Sequence, residues 1–222
     1  MSFVDACVQD SLPIWQQCLE SDFLRGLETG TLDEECFKGY IVDDSLYLRE
    51  YARVFAWGMT KAKTMEEMRF YCSMLSFVNE REDATRLVYL RNWGLSDEAI
   101  QNLPQRPENQ AYTEHMIRAI CDDGGAPECM MAVLPCMLSY RWLFRRILDR
   151  TPAVLEGRFS SLVRDYTAPY CDSMCSNWVE QTEKLCADLS PQRRQRCMEI
   201  FRTSSLCELH FWEMSACPRS DL

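Results

Sequence analysis

The 222-residue chain contains little glycine and proline, with 8 and 9 residues of these types. Antiparallel sandwiches and barrels need a turn about every dozen residues, and most of those turns use glycine or proline. Their scarcity argues against a many-stranded sheet and favours long helices with few connections. Apolar residues recur at intervals of three and four, as in Phe37, Tyr40, Ile41 and Leu48, which is the spacing of an amphipathic helix.

Histidine is also scarce, since only His115 and His210 are present. A di-iron centre in a helical bundle needs Glu-x-x-His pairs, and neither histidine lies three residues after a glutamate. Haem ligation through one histidine is an alternative, although an isolated histidine on a helix is more commonly a hydrogen-bonded core residue. Glycine-rich phosphate loops, GxSxG and HExxH are absent as well. We therefore expect no metal and no cofactor.

Basic runs and long apolar runs are missing too. The net charge of −10 repels phosphate backbones and anionic membrane surfaces. The first residues, MSFVDACVQDSLPIW, contain neither a basic leader nor an unbroken apolar stretch. These features predict no nucleic-acid partner, no membrane association and a cytoplasmic location.

Cysteine, in contrast, is abundant, with 13 residues and no CxxC pair. Without an export signal, and with a chain long enough to fold unaided, reduced thiols are the preferred interpretation. Many are expected to be small apolar side chains that fill helix faces, such as Cys72, Cys121 and Cys197. Cys171 and Cys175 lie one helical turn apart but have no histidine close in sequence, so a zinc site there is a poor hypothesis.

Helix starts are marked by the segments Thr31-Leu-Asp-Glu34 and Thr64-Met-Glu-Glu67, which are typical of capping boxes, and by Ser190. A helix from Ala126 toward Asp149 contains Pro135, which removes one backbone hydrogen bond and should kink the helix beside Cys136. No repeat and no flexible linker interrupts the pattern. The sequence predicts about seven or eight helices that form an all-α bundle in a single domain, residues 1–222.

Polar and aromatic side chains at helical spacing are the candidates for chemistry. An ordinary structural explanation also exists for each: a carboxylate on a solvated face, a buried thiol, or an aromatic stripe in the core. The spacing alone does not decide between these interpretations. Three such groups share predicted helix faces: Tyr40, Asp44 and Tyr47; Cys136 and Tyr140; and Glu208, Phe211 and Trp212.

Several segments, taken in order and with their spacing, resemble the TenA family. These segments span nearly the whole chain. Each match is short, but five matches in the order and at the spacing of the family are more informative than any one of them. The matching segments are Gly30–Glu34 with Phe37–Leu48, Asn79-Glu80 with Trp93–Ser96, Ala111-Tyr112-Thr113, Leu134-Pro135-Cys136 with Tyr140, and Glu208 with Phe211–Met214.

The resemblance implies a haem-oxygenase-like helical fold, assembled as a homotetramer. It also implies an aminopyrimidine aminohydrolase of the thiaminase II type that serves thiamine salvage. Such an enzyme converts 4-amino-5-aminomethyl-2-methylpyrimidine, and in some members thiamine, to the hydroxymethyl pyrimidine. By this match Cys136 is the nucleophile, Glu208 the proton donor and acceptor, and Asp44 the partner of the pyrimidine amino group. The implied substrate-binding residues are Tyr47, Tyr112, Tyr140, Tyr166 and Phe211.

Four positions depart from the family pattern. Met137 and Cys207 stand where an aromatic residue is usual, Asp43 stands where an amide is common, and Thr85 stands where many members carry a histidine. The candidate catalytic residues are intact, so these departures affect the expected substrate preference. Two alternatives stay open. One is a redox or cofactor enzyme of the wider haem-oxygenase-like superfamily, and the other is a non-catalytic helical module that retains the pocket for pyrimidine binding or for regulation.

Overall fold

The computed structural model describes residues 1–77, 83–122 and 124–222, and these ranges contain eleven α-helices and no strand. This confirms the all-α class. The predicted count of helices was too low because the short helices α2, α6 and α9 lack a long apolar stripe. Asn79 and Glu80 lie outside the described residues. The helices are α1 (Phe3–Leu19), α2 (Asp22–Thr29), α3 (Glu34–Lys61), α4 (Met65–Phe77), α5 (Asp83–Asn92), α6 (Asp97–Ile100), α7 (Pro107–Cys121), α8 (Ala126–Arg150), α9 (Ser160–Thr167), α10 (Pro169–Cys186) and α11 (Pro191–Ser215).

The start of α3 differs from the predicted capping box. Gly30, at φ 73°, ends α2, and the N–H groups of Thr31 and Leu32 both bond to the Gly26 carbonyl. Because these two residues still complete the end of α2, the first residue free to cap α3 is Asp33. Its carboxylate accepts from the Glu35 N–H at 2.8 Å, so the prediction for Thr31 was wrong.

Two other predicted helix starts are confirmed. The Thr64 hydroxyl accepts from the Glu67 N–H at 3.1 Å, while the Glu67 carboxylate accepts from the Lys63 N–H. Ser190 caps α11 through a hydrogen bond from the Arg193 N–H at 3.3 Å. Each cap satisfies an N–H group that has no partner within its own helix.

Helix α8 lies at the centre and packs against α3, α7, α10 and α11. Residues 129–134 of this helix are all fully buried, which explains why the segment is apolar on every side. In the part of the chain that the structure describes, no helix is long and apolar enough to cross a membrane.

Pro135 lies inside α8, as predicted, and side chains from two other helices donate to carbonyls of the turn before it. Tyr51 on α3 donates to the Val133 carbonyl, and Ser204 on α11 donates to the Ala132 carbonyl, each at 2.9 Å. Proline has no N–H and disturbs the carbonyls of the preceding turn, so outside donors are favourable there. These bonds fix the segment that carries Cys136 against α3 and α11.

The cysteines are free thiols, and most of them are buried. Cys197 is fully buried, as expected for an apolar filler. Cys72 and Cys121 are exposed, so that prediction was wrong for both. The periodicity placed them on helices but did not show which face the rest of the chain covers.

A buried ion-pair cluster joins α3, the start of α7 and the C-terminal segment. The Asp43 carboxylate is fully buried and accepts from Arg106 Nε at 2.8 Å and from Arg219 Nη1 at 2.6 Å. Asn109 donates to the Asp43 carbonyl at 2.8 Å. Both arginines also donate to backbone carbonyls, Arg106 to Met214 and Arg219 to Pro104. All charges of the cluster thus have hydrogen-bond partners, which a buried ion pair requires.

Asp43→Asn should lower the free energy of unfolding by about 3–5 kcal/mol, because two guanidinium groups would lose their buried counter-charge. The side chains of Arg219 and Arg106 are 1% and 17% exposed, so water cannot replace the carboxylate fully. Urea denaturation at pH 7 measures the change.

Arg118→Gln is the matched control for that measurement. It breaks the ion pair with Glu114 on the surface of α7, whose side chains are 72% and 44% exposed. An exposed pair of this kind contributes about 0.5 kcal/mol or less. Equal losses in the two variants would contradict the role assigned to the cluster.

Candidate active site

Glu208 is the centre of the predicted site, and it is almost completely buried on α11, at 1% exposure. The Tyr112 hydroxyl of α7 donates to its Oε1 at 2.6 Å. Burial raises the pKa of Glu208 to about 8, whereas hydrogen bonds with Tyr112 and Cys136 oppose the rise. The Asp44 carboxylate raises it further. The carboxyl group is therefore largely protonated at neutral pH, and it can exchange its proton at pH values close to neutral.

Cys136 lies on α8, directly after Pro135, and is half-buried. Its side chain forms a hydrogen bond with Glu208. The raised pKa of Glu208 makes its carboxylate a stronger base than an ordinary glutamate. A hydrogen-bonded base of this kind can accept the proton of the thiol, which is a means of forming a thiolate.

Asp44 lies on α3, where it is half-buried, and the adjacent Asp43 belongs to the ion-pair cluster. The charge of Asp44 raises the pKa of both Glu208 and Tyr140, so the three side chains share one region. Neighbouring residues of a helix point about 100° apart. The two carboxylates therefore occupy different environments, one structural and one at the candidate site.

Aromatic rings surround these groups. The Tyr47 ring lies 5.0 Å from that of Tyr112 and 6.0 Å from that of Phe211, and the Tyr140 ring lies 4.8 Å from that of Tyr166. Burial raises the pKa of Tyr47, Tyr112 and Tyr140 well above its ordinary value, so their hydroxyls stay protonated. The structure thus brings together Cys136, Glu208 and Asp44 with the five predicted binding residues. Tyr166, on α9, reaches the group through Tyr140.

Tyr40 and Tyr51 also belong to this cluster; Tyr40 was grouped with Asp44 and Tyr47 on one predicted helix face but given no role, and Tyr51 was not among the candidates. The Tyr51 ring stacks on that of Tyr47 at 5.2 Å, and the Tyr40 ring lies 6.1 Å from that of Phe211. Tyr51 lies four residues after Tyr47 along α3, and this spacing was a usable signal. It was hidden because Tyr51 also fits an ordinary apolar stripe.

His115 has structural partners. Its Nε2 lies 3.1 Å from Ser204 Oγ and 3.3 Å from the Ile200 carbonyl, both on α11. Burial lowers its pKa. Within the described ranges, no group of three or more His, Cys, Asp and Glu side chains is arranged to hold a metal ion.

Glu208→Gln should stabilise the protein increasingly as pH rises. The pKa of Glu208 is higher in the folded state, about 8, than in the unfolded chain, so folding takes up a proton between these values. Ionisation of this carboxyl group therefore does not lower the free energy of unfolding below about pH 4. Above that pH it lowers the free energy of unfolding by about 1.4 kcal/mol per pH unit, which amounts to several kcal/mol by about pH 8. Glutamine avoids this cost because it cannot ionise.

Urea denaturation of the variant and the unaltered protein at pH 5 and pH 8 tests this expectation. The control is Glu180→Gln, which removes a carboxylate that is 66% exposed on α10 and should show no growing gain. A gain that is the same at both pH values would argue against a protonated Glu208.

Two relatives match this chain over nearly their whole length. This chain is 31% identical over 209 residues to an aminopyrimidine aminohydrolase of Helicobacter pylori, and the matched segment covers 93% of this chain and 95% of the relative. It is 30% identical over 211 residues to an uncharacterised protein of Haemophilus influenzae, and that match covers 95% of this chain and 97% of the relative.

Solved structures show the same fold. A TenA homologue from Pyrococcus horikoshii is 25% identical, with a TM-score of 0.82, over 97% of this chain and 98% of that one. A TenA family protein from Silicibacter is 24% identical, with a TM-score of 0.87, over 97% of both chains. The model of the family described as TENA/THI-4/PQQC matches residues 8–218. The resemblance predicted from the sequence is thereby confirmed, and this chain belongs to the TENA/THI-4/PQQC family.

Proposed function

We propose that this chain is an aminopyrimidine aminohydrolase. It hydrolyses 4-amino-5-aminomethyl-2-methylpyrimidine to the 5-hydroxymethyl compound and ammonia, in thiamine salvage. The observation that carries the proposal is the buried Glu208 carboxyl group, bonded to Tyr112 and to Cys136. The name of the Helicobacter pylori relative supports the same reaction. We extend the proposal to a cytoplasmic homotetramer that also accepts thiamine as a substrate.

The first step of the proposed reaction uses the Cys136–Glu208 pair. The thiol proton passes to the Glu208 carboxylate. The thiolate attacks the unsubstituted ring carbon, which lies next to the carbon that carries the aminomethyl group. Glu208 delivers the proton to the ring nitrogen beside the attacked carbon. The ring is then no longer aromatic, and its electrons expel the substituent, which is an ammonium group at neutral pH, from the exocyclic carbon as ammonia.

The second step restores the enzyme. Water adds to the exocyclic carbon and forms the hydroxymethyl group, and its second proton goes to the solvent, where it converts the released ammonia to ammonium. Glu208 takes the proton back from the ring nitrogen, the carbon–sulfur bond breaks, and the returning proton regenerates the thiol. The covalent route divides one difficult displacement into easier steps, and the same carboxyl group acts as acid and as base.

Asp44 and the aromatic rings supply recognition in this proposal. A carboxylate accepts hydrogen bonds and donates none, so Asp44 favours a ring that carries an amino group over one with a carbonyl there. The rings of Tyr47, Phe211 and Tyr140 offer flat faces to a flat heterocycle.

Cys136→Ser should lower turnover of the aminomethyl pyrimidine about a thousandfold or more, because the attacking atom is lost. Affinity for the hydroxymethyl product should change little, since serine retains the shape of the side chain. Release of ammonia and hydroxymethyl pyrimidine measures turnover, and calorimetry measures binding.

The control is Cys207→Ser, which alters another half-buried thiol on α11 and should keep most of the activity. Unchanged turnover in Cys136→Ser would contradict the covalent mechanism. If the unaltered protein binds the pyrimidine but does not turn it over, the chain is a binding module.

The pH dependence of kcat gives a separate test. The active pair carries one proton, because the Glu208 carboxylate must be ionised to take the thiol proton. Below about pH 8 Glu208 is still protonated and the pair carries two protons, so kcat should rise as pH passes through about 8. The Tyr112 hydrogen bond lowers the pKa of Glu208, and Tyr112→Phe should therefore move this rise to higher pH. A shift of the rise toward lower pH in kcat profiles between pH 6 and 10 would refute the assignment of Glu208 as the proton acceptor.

A further inference from the structure

Trp212 is fully buried on α11, and its indole Nε1 has no hydrogen-bond partner among the described residues. An indole N–H can only donate, and leaving it unbonded in the interior costs about 1–3 kcal/mol. Trp15 provides a comparison, since it is equally buried but donates to Ser205 Oγ at 3.2 Å. Helix α11 thus satisfies one buried indole and leaves the other without a partner.

The position of Trp212 connects it to the candidate site. Its ring lies 4.7 Å from that of Tyr140 and stacks on that of Tyr40 at 5.5 Å, with 13° between the planes. It follows Phe211 directly and comes one helical turn after Glu208. The charges of Glu208 and Asp44 both act on Tyr140, so the indole and the catalytic carboxyl groups have Tyr140 as a common neighbour.

Several other donors near the site are already bonded to protein groups. Tyr112 donates to Glu208, Tyr51 to the Val133 carbonyl, and Tyr47 to Met116 Sδ at 3.7 Å. A 4-aminopyrimidine carries two ring nitrogens that accept and one amino group that donates. In the proposed reaction Glu208 serves one ring nitrogen and Asp44 the amino group. The second ring nitrogen, between the methyl-bearing and amino-bearing carbons, then requires a donor.

We propose that Trp212 is a substrate-positioning residue whose indole N–H donates to this second ring nitrogen. The inference rests on the proposed function, and it adds a contact that distinguishes a pyrimidine from a ring with C–H at that position. The partner missing from the interior is supplied by the ligand, so the cost of the unbonded donor is recovered only when the right heterocycle binds.

Trp212→Phe retains an aromatic ring and removes the donor. We expect the hydroxymethyl pyrimidine product to bind about tenfold more weakly to this variant, corresponding to about 1.4 kcal/mol. The decisive measurement uses a second ligand, the deaza analogue with C–H in place of the second ring nitrogen. The unaltered protein should bind this analogue about tenfold more weakly than the product, whereas Trp212→Phe should bind the two alike. If the role of the indole were merely structural, Trp212→Phe would bind both ligands more weakly by the same factor.

A nuclear magnetic resonance experiment on the unaltered protein tests the contact without relying on a variant that must fold. The six tryptophans give six indole N–H signals, and nuclear Overhauser contacts with the rings of Tyr40 and Tyr140 identify the signal of Trp212. Addition of the product should move that signal downfield, as expected for a new hydrogen bond, and should leave the Trp15 signal in place. Trp15→Phe is the matched variant and should keep the product affinity.

The outcomes separate the two proposals. The contact is overturned if the product binds without moving the Trp212 signal and if Trp212→Phe loses affinity equally for the product and the deaza analogue. In that case the proposed function still stands. Absence of any pyrimidine binding to the unaltered protein overturns both.

Discussion

A carboxyl group buried among aromatic rings needs hydrogen-bond partners from its surroundings, and this need organises the centre of the molecule. Glu208 of α11 obtains one partner from α7, Tyr112, and another from α8, Cys136. Three helices must therefore approach each other closely at one point. The desolvation that makes the arrangement costly also brings the pKa of Glu208 to about 8, which makes its carboxylate a stronger base than an ordinary glutamate. A stability cost and a chemical capability thus have the same origin.

The proline in α8 contributes to this arrangement in a second way. Proline gives no N–H to the preceding turn, and in that turn Tyr51 and Ser204 donate to the carbonyls of Val133 and Ala132. Ser204 also lies 3.1 Å from His115 on α7. The helix that carries Cys136 is therefore connected by polar contacts to α3 and α11, and through Ser204 to α7. These contacts are directional, unlike the apolar packing around them, and they limit sliding of α8 along its neighbours.

Short-range features of this fold could be predicted from the sequence, whereas contacts between helices could not. The intervals of three and four residues correctly placed Asp44 with Tyr47, and Glu208 with Phe211, on shared helix faces. The bond between Tyr112 and Glu208 joins positions 96 residues apart, and no periodicity reports it. The family resemblance supplied that pairing of segments. The raised pKa of Glu208 also depended on burial, which is a property of the whole fold. The exposed Cys72 and Cys121 illustrate the same limit, because a thiol at a helical interval is compatible with either face.

The ion-pair cluster at Asp43 has a consequence for the order in which the chain can fold. Asp43 and Arg219 are separated by 176 residues. At a synthesis rate of about 5–20 residues per second, Arg219 is added roughly 10–35 s after Asp43. During that interval the Asp43 carboxylate lacks a partner that it has in the native interior, and hydration by water is its favourable state. Final docking of α3 against the C-terminal segment is therefore a late event in biosynthesis, completed only when nearly all the other helices of the bundle already exist.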